Sequence, residues 1–176
     1  MATEWRRPVS RWQVAHGLLV LALAVAGLAG GPALAQSPAE RAEYANVEFR
    51  LPDKWSVETG KQKLTLVAPN EDGFIQFSTL QPGNDGQLRA QAAQALTAYL
   101  SDTVLADPGD PILINGMPGF RVSGSGASDA TAVQFVAVAL SPTPAKPILV
   151  LAYASLDSFA THAPVFETLI KSLKRR

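Results

Sequence analysis

The stretch "PILVLAYAS", Pro147–Ser155, carries apolar side chains at both sets of alternating positions from Ile148 to Ala154. Successive side chains of a β-strand point to opposite faces of a sheet, so a strand of this composition is apolar on both faces. The stretch "ATAVQFVAVALS", Ala130–Ser141, has the same character, apart from polar residues such as Gln134. Strands of this kind lie in the middle of a sheet whose two faces are covered. The sequence therefore predicts a central strand pair that needs cover on each face.

Two other segments have apolar residues spaced by three and four, which is the period of an amphipathic helix. The first follows the glycine and proline break at residues 82–86 and ends before residue 107, and Asp85 can cap its first turn. The second begins near Asp157 or Ser158 and contains Pro164, where we expect a kink or a new helix start because proline lacks an N–H. One helix on each face would cover the sheet. The apolar positions are Leu88, Ala92, Ala95, Leu96, Tyr99 and Leu100 in the first, and Phe159, Phe166, Leu169, Ile170 and Leu173 in the second.

Short alternating stretches precede the first helix. "VEFRLP" at residues 47–52 and the region of Trp55 and Val57 read as strands. "KLTLVAP" and "FIQFSTL" flank the turn "PNEDG" at residues 69–73, which predicts an antiparallel hairpin. Residues 36–45 show no apolar period, so we expect a flexible leader there and a single domain over residues 46–176.

The glycine-rich stretch "NGMPGFRVSGSG", Asn115–Gly126, lies between strand-like residues. It predicts two tight turns, at residues 115–119 and 124–128, around a short strand that contains Phe120 and Val122. A dinucleotide-binding loop needs three glycines in the pattern G-x-G-x-x-G, leading from a strand into a helix. Here the third glycine is missing and another strand follows, so a phosphate-binding loop is not predicted.

The first 35 residues have the pattern of a secretory signal peptide, with three arginines before the apolar run Leu18–Ala29 and the small residues Ala33-Leu34-Ala35. The run of 12 residues is shorter than the about 20 that a membrane-spanning helix needs. We therefore expect cleavage near Ala35 and a periplasmic or secreted protein without a transmembrane anchor. The adjacent Arg6 and Arg7 leave open whether export follows the general secretory or the twin-arginine route.

Composition excludes several classes of function for the exported chain. The predicted signal peptide carries three arginines and one glutamate, so residues 36–176 have 12 basic and 14 acidic side chains, a net charge near −2. Binding to nucleic acid needs a basic surface that displaces counterions, which this balance does not suggest. The sequence has no cysteine, so it forms neither a disulfide nor a thiolate nucleophile.

Residues suited to catalysis or metal binding are scarce. After removal of the signal peptide, His162 is the one histidine left. It follows Ser158 and Asp157 closely enough for contact on one helix. A catalytic triad also needs an oriented base and an oxyanion site, which this helix does not supply. The "NEDG" turn lacks most ligands of a calcium loop. We predict no catalytic, cofactor-binding or metal-binding residues.

Three short motifs carry a resemblance to a known family: "FRLPDKWSV" at residues 49–57, "INGMPGFRV" at 114–122 and "FETLIKSLK" at 166–174. Together with the order of the elements, they resemble the PsbP-like family, which includes the extrinsic P subunit of photosystem II and bacterial envelope proteins of the DcrB type. The resemblance implies an α+β fold, with an antiparallel sheet between helices on both faces. It also implies a role in binding other proteins, without a common catalytic set. No residue here matches a manganese-cluster or calcium function.

We therefore expect a non-enzymatic periplasmic accessory protein that binds a partner protein or envelope complex. Trp55, Tyr153 and Arg121 are the candidate interface residues, and the alternative for Trp55 and Tyr153 is a place in the core. Another possibility is a carrier of small molecules or lipids, or an enzyme, with a pocket between helix and sheet where Arg121 holds an anion. A third is contact with anionic membranes through the basic C-terminal residues Lys171, Lys174, Arg175 and Arg176.

Overall fold

The computed structural model describes residues 40–107 and 109–176, so the predicted signal peptide at residues 1–35 lies outside the described part of the chain. The described residues form two helices and eleven strands. In chain order they are β1 (Arg41–Tyr44), β2 (Val47–Arg50), β3 (Ser56–Thr59), β4 (Lys63–Val67), β5 (Gly73–Thr79), α1 (Asp85–Tyr99), β6 (Ser101–Leu105), β7 (Asp110–Ile114), β8 (Met117–Ser128), β9 (Thr131–Leu140), β10 (Ile148–Ser155), α2 (Phe159–Ser172) and β11 (Lys174–Arg175).

The strands of the described residues form two antiparallel sheets. The large sheet has the order β3-β4-β5-β10-β9-β8-β6, with β7 also paired to β8, and the small sheet has the order β1-β2-β11. The predicted hairpin of β4 and β5 is present, with Leu64 opposite Phe77 and Val67 opposite Phe74. The prediction of an α+β fold built on an antiparallel sheet is confirmed.

Strand β10 lies in the middle of the large sheet, between β5 and β9. Its residues from Ile148 to Ala154 are all buried, as the apolar pattern of the two central stretches predicted. Alternate residues of β10 belong to two different clusters of buried side chains, which we call the α2 cluster and the α1 cluster after the helix that contributes to each. The α2 cluster includes Ile148, Val150, Ala152, Phe166 and Leu169, and the α1 cluster includes Leu149, Leu151, Tyr153, Ala92 and Leu96.

Helix α1 begins one residue away from the predicted cap. Asn84 is the N-cap, and its side-chain oxygen accepts a hydrogen bond of 2.9 Å from the backbone N–H of Gln87. The Gln87 side chain accepts in return from the N–H of Asn84, also at 2.9 Å. Asp85 is the first helical residue, and its carboxylate pairs with Arg89. The expected cap at Asp85 is wrong because Asn84 completes a reciprocal capping box with Gln87, which satisfies two N–H groups.

Helix α2 runs from Phe159 to Ser172 without interruption at Pro164, so a new helix start at the proline is wrong. At the C-terminal end, the side-chain amide of Asn115 donates hydrogen bonds to the carbonyl oxygens of Lys171 and Leu173, at 3.0 and 2.7 Å. These carbonyls have no partner within the helix. Asn115 therefore connects the turn between β7 and β8 to the end of α2.

The glycine-rich stretch forms one predicted turn and not the other. Asn115 and Gly116 have φ of 47° and 78° and reverse the chain between β7 and β8, as expected. Strand β8 then continues through the second expected turn, residues 124–128, and the chain reverses at residues 129–130. The glycines inside β8 allow close approach of neighbouring backbones. A Cβ on Gly119 would lie 2.0 Å from the carbonyl oxygen of Ala139, and one on Gly124 would lie 2.2 Å from that of Val104.

The small sheet corrects the predictions for both ends of the domain. Residues 41–44, expected within a flexible leader, form β1 and pair with β2. Lys174 and Arg175, expected in a basic tail, form β11 and pair with Glu48 and Val47 of β2. The leader prediction is wrong because residues 41–44 form a local hairpin with β2 across the turn at Ala45 and Asn46. Lys174 and Arg175 instead gain their backbone hydrogen bonds from a strand that is distant in sequence, a contact that no local period reveals.

The close approach at Gly119 predicts opposite effects of two glycine substitutions. Gly119→Ala should lower the free energy of unfolding by about 1–3 kcal/mol, because the added methyl group overlaps backbone atoms of β9. Gly86→Ala, near the start of α1, should raise stability by about 0.4–1 kcal/mol by restricting the unfolded chain, because the added Cβ would make only an ordinary contact, 3.5 Å from Oδ1 of Asn84. Urea denaturation of both variants and the wild type measures these changes. Equal effects of the two substitutions would contradict the close-approach role of Gly119.

Candidate functional site

Trp55, one of the three candidate interface residues, is a core side chain in this structure. It is only 8% exposed and belongs to the α2 cluster. Its ring meets the rings of His162 and Phe166 edge to face, with centroid distances of 5.6 and 6.2 Å. Such arrangements are favoured by the aromatic quadrupole. Trp55 therefore packs the N-terminal half of α2 against the sheet.

His162 is buried beside Trp55, and its Nε2 lies 2.7 Å from Oδ1 of Asp72, in the turn between β4 and β5. The hydroxyl of Ser158 contacts the hydroxyl of Ser155 at 2.8 Å and donates to the carbonyl of Asp72 at 3.1 Å. A nucleophilic serine needs a hydrogen bond to its base. The described hydrogen bonds of Ser158 do not reach the His162 ring, so these residues join the start of α2 to the β4–β5 turn. The Asp72–His162 contact is absent from the sequence prediction because ninety positions separate the two residues.

Residues 40–107 and 109–176 contain neither a metal-binding cluster of side chains nor a helix that could span a membrane. In this part of the chain, no three His, Asp or Glu side chains are placed to share a metal ion. Neither of its two helices has the length and apolar character needed to cross a bilayer.

Tyr153, the second candidate, lies in the α1 cluster and is 7% exposed. It faces Phe74 across the β10–β5 pair, and the two rings stack with centroids 5.2 Å apart. These rings line a groove of about 490 Å³ on the face of the sheet, which we call the polar groove. Burial raises the pKa of the Tyr153 phenol above its ordinary value of 10.0.

The walls of the polar groove come from β3, β4, β5 and the adjoining turns. Gln76 lines it, and its buried Oε1 has no hydrogen-bond partner. Lys54 and Glu71, also in the lining, adopt positive φ of 66° and 58°, which is uncommon for residues other than glycine. The remaining polar lining residues are Ser56, Glu58, Lys63 and Thr65. The polar groove therefore presents side chains of both charge signs and one hydrogen-bond acceptor without a partner, next to the aromatic rings of Phe74 and Tyr153.

Arg121, the third candidate, lies on β8 and forms an ion pair of 2.6 Å with Glu167 of α2. Both side chains are more than one third exposed, so the pair contributes at most about 1 kcal/mol to stability. Arg121 lines a second groove of about 440 Å³, which we call the β6 groove. The three candidates therefore lie in different places: the described residues bring neither Trp55 nor Tyr153 into this groove.

The β6 groove has a floor of small residues and an apolar rim. Ser123, Gly124 and Ser125 of β8 form part of the lining, and Phe159 of α2 contributes an aromatic ring. On the rim, Val104 and Leu105 of β6 are 64% and 51% exposed. Large aliphatic side chains that border a concave surface are typical of interaction sites.

Strand β6 was missed by the sequence analysis because the helical spacing before it was extended toward residue 107. The signal that could have located it is the loss of good helix formers after Leu100, where Ser, Asp, Thr and Val follow in turn. Leu100 already has extended backbone angles, φ −126° and ψ 133°. The exposed pair Val104 and Leu105 could be recognised only once β6 was placed at an edge of the sheet.

The fold is similar to several solved structures. The solution structure of cyanobacterial PsbP (CyanoP) from Synechocystis sp. PCC 6803 has a TM-score of 0.61 and 13% identity, over 85% of this chain and 98% of that one. The chain has a PsbP-like fold. The PsbP-like fold also matches the Saccharomyces cerevisiae Ran-binding protein Mog1p, with a TM-score of 0.53 and 9% identity over 77% of this chain and 94% of that one.

A further match to the PsbP-like fold is protein PA94 of Pseudomonas aeruginosa, with a TM-score of 0.50 and 12% identity over 78% of this chain and 96% of that one. No family model and no curated protein matches the sequence. The resemblance inferred from the three motifs is confirmed at the level of the fold. At these identities the likeness concerns the fold alone.

The raised pKa of Tyr153 predicts a loss of stability in alkaline solution. When folding raises the pKa of a phenol, the unfolded chain loses that proton at a lower pH than the folded protein does. The contribution of the neutral phenol to the free energy of unfolding is therefore fully present below about pH 10, and it is lost as the pH rises through the pKa of the folded protein. Urea denaturation at increasing pH should show a shallower alkaline loss for Tyr153→Phe than for the wild type. Burial also raises the pKa of Tyr44, so part of the loss should persist in that variant. Identical pH dependence of the two proteins would contradict the prediction.

Proposed function

We propose that this protein is a non-enzymatic accessory protein of the cell envelope, exported with cleavage near Ala35, that binds a partner protein through the β6 groove. The observation that carries the proposal is the exposed pair Val104 and Leu105, beside a concave surface that also contains Phe159 and Arg121. Aromatic residues and arginine are enriched at protein interfaces, and aliphatic side chains exclude water from them. We also infer that α1 and α2 cover opposite faces of the large sheet, which the alternation of β10 between the two clusters supports.

The partner contacts the groove through side chains and does not extend the sheet by one strand. Exposed strand edges readily pair with other chains unless they are interrupted. Strand β6 has a shift of register between Ser101 and Val104, and Asp102 within it has φ of 50°. Strand β7, on the same side of β8, contains Pro111, which has no N–H to donate. These features disfavour strand addition and leave the apolar rim as the contact surface.

Among residues 40–107 and 109–176, no described hydrogen bond activates Ser158 as a nucleophile, which supports a binding role. His162 is held between Trp55 and Phe166 and is paired with Asp72, where it serves packing and the connection between two segments. Ser158 uses its hydroxyl in hydrogen bonds to Ser155 and Asp72. A hydrolase of the Ser-His type needs these groups in contact with each other and open to substrate.

Two leucine substitutions test the partner-binding proposal. Leu105→Glu should reduce recovery of the partner at least about tenfold, because a charge would replace an apolar side chain in the interface. Leu113→Glu is the matched control, since Leu113 is 72% exposed on β7 and does not line the groove. The tagged protein is expressed in its own cells, crosslinked mildly and immunoprecipitated, and its partners are quantified. Recovery of the bare protein alone, or equal losses with both variants, would contradict the proposal.

A second candidate function is the binding of a small polar molecule in the polar groove. The unpartnered Oε1 of Gln76 favours it, because a buried acceptor without a hydrogen bond gains from a ligand that donates one. This groove is lined by strands and turns, so it differs from the pocket between helix and sheet expected from the sequence.

A thermal-shift screen with polar metabolites tests this second candidate. A ligand at one hundred times its dissociation constant should stabilise the protein by about 2.7 kcal/mol. Gln76→Leu should abolish that shift, whereas Gln94→Leu on the exposed surface of α1 should preserve it. A shift that survives Gln76→Leu would exclude the polar groove, and so would the absence of any shift.

A further inference from the structure

A third groove, of about 510 Å³, lies between the small sheet and the C-terminal end of α2, and its lining is strongly cationic. Four different elements each contribute one positive side chain to it. They are Arg41 of β1, Arg50 of β2, Lys171 of α2 and Lys174 of β11. Glu48 is the one acidic residue in the lining. This basic groove therefore carries a net charge of about +3, in an exported chain whose net charge is near −2.

The register of the small sheet brings two of these cations face to face. Arg41 and Arg50 are direct cross-strand partners in the β1–β2 pair. Like charges in that position destabilise a strand pair. Glu48 relieves one of them through an ion pair of 3.0 Å with Arg41. No ion pair of Arg50, Lys171 or Lys174 occurs within the described residues. Three cations at this concave site thus have no ion-pair partner, although Lys174 lies directly opposite Glu48 in the β2–β11 pair.

The backbone around these cations is held in place by hydroxyl groups. Ser172 accepts a hydrogen bond of 3.0 Å from the N–H of Arg50 and donates one of 2.7 Å to the carbonyl of Leu169. It therefore connects β2 to the last turn of α2. Thr168, also in the lining, donates to the carbonyl of Pro164 at 2.7 Å. The bonds of Ser172 hold the backbone of Arg50 beside the last turn of α2, which carries Lys171.

The chemistry of the groove favours a compact anion. The strongly exposed large apolar residues of the described chain lie elsewhere: Val57, Val104, Leu105, Leu113 and Leu156. A protein interface is usually centred on aromatic or aliphatic anchors. The one aromatic residue in this lining, Phe49, is only 1% exposed because it is packed in the α2 cluster. A phosphate group presents several acceptor oxygens to guanidinium and ammonium donors, with which it forms short, charge-assisted hydrogen bonds.

We propose that the basic groove binds a phosphate group, carried either by a lipid headgroup or by a free phosphate ester. Arg50, Lys171 and Lys174 provide the donors, and Arg41 is held beside them by Glu48. The site is separate from the β6 groove and does not depend on the partner-binding proposal. For a lipid headgroup, this proposal places the membrane contact in the basic groove and not along the basic C-terminal residues alone, because the cations of the groove belong to β1, β2, α2 and β11.

Two binding assays on the exported protein distinguish the sources of phosphate. Calorimetric titration with inorganic phosphate and with glycerol phosphate measures binding of a free ester. Sedimentation with phosphatidylglycerol vesicles, compared with phosphatidylcholine vesicles, measures binding to an anionic headgroup. We expect saturable binding in at least one assay, and we expect it to weaken as salt rises because counterions screen the charges. Binding in the first assay alone indicates a soluble ester, and binding in the second indicates a lipid headgroup.

A matched pair of arginine substitutions locates the binding. Arg50→Gln should weaken it about tenfold or more, the effect expected for one lost charge-assisted contact. Arg175→Gln removes the same charge from the small sheet, but Arg175 does not line the groove, so binding should change less than about twofold. Circular dichroism and melting temperature verify that both variants fold; if Arg50→Gln does not, Lys171→Gln replaces it.

Three results would overturn the proposal. The first is the absence of saturable binding in both assays. The second is an equal loss for Arg50→Gln and Arg175→Gln, which would mean that diffuse charge attracts the anion without a site. The third is binding to polyglutamate but not to phosphate or to phosphatidylglycerol, which would assign the groove to an acidic protein segment.

Discussion

The structure depends on the burial of one strand on both of its faces. Every residue of β10 from Ile148 to Ala154 is removed from water, and its neighbours β5 and β9 supply the hydrogen bonds for its backbone. Each fully buried large aliphatic side chain contributes about 1.5–3 kcal/mol, so this strand can exist only if apolar groups meet it from two directions. Helices α1 and α2 supply such apolar groups, because each contributes apolar side chains to a different one of the two clusters.

Small residues on β8 link this core to the molecular surface. Gly119 and Gly124 allow the backbones of β9 and β6 to approach more closely than a Cβ would permit. Gly124 also lies, with Ser123 and Ser125, in the floor of the β6 groove, where small side chains leave space above β8. This glycine-rich stretch serves sheet packing and surface shape. The chemistry of a glycine-rich sequence therefore depends on whether a helix or a strand follows it.

The candidate functional residues divide according to burial. Trp55 and Tyr153 lie in the two clusters, where they stabilise the fold, although Tyr153 also forms part of the base of the polar groove. Arg121 lies at the surface, where its pairing with Glu167 leaves more than a third of the side chain exposed. The β6 groove and the basic groove differ in character: one presents aliphatic side chains and the other unpaired cations. The described residues therefore present two surfaces of different chemical character.

The local sequence pattern predicted the central strands, the β4–β5 hairpin, the turn at residues 115–116 and both helices, because each of these elements has an apolar period or a turn signal. The same pattern did not predict β1, whose residues were expected in a flexible leader, or β6 and β11, which pair with strands distant in the chain. Tertiary structure alone placed Asp72 against His162 and Arg41 opposite Arg50. The three grooves are likewise a result of tertiary structure, because a concave surface is formed by side chains from several elements. The distances between those side chains depend on packing and not on their order in the chain.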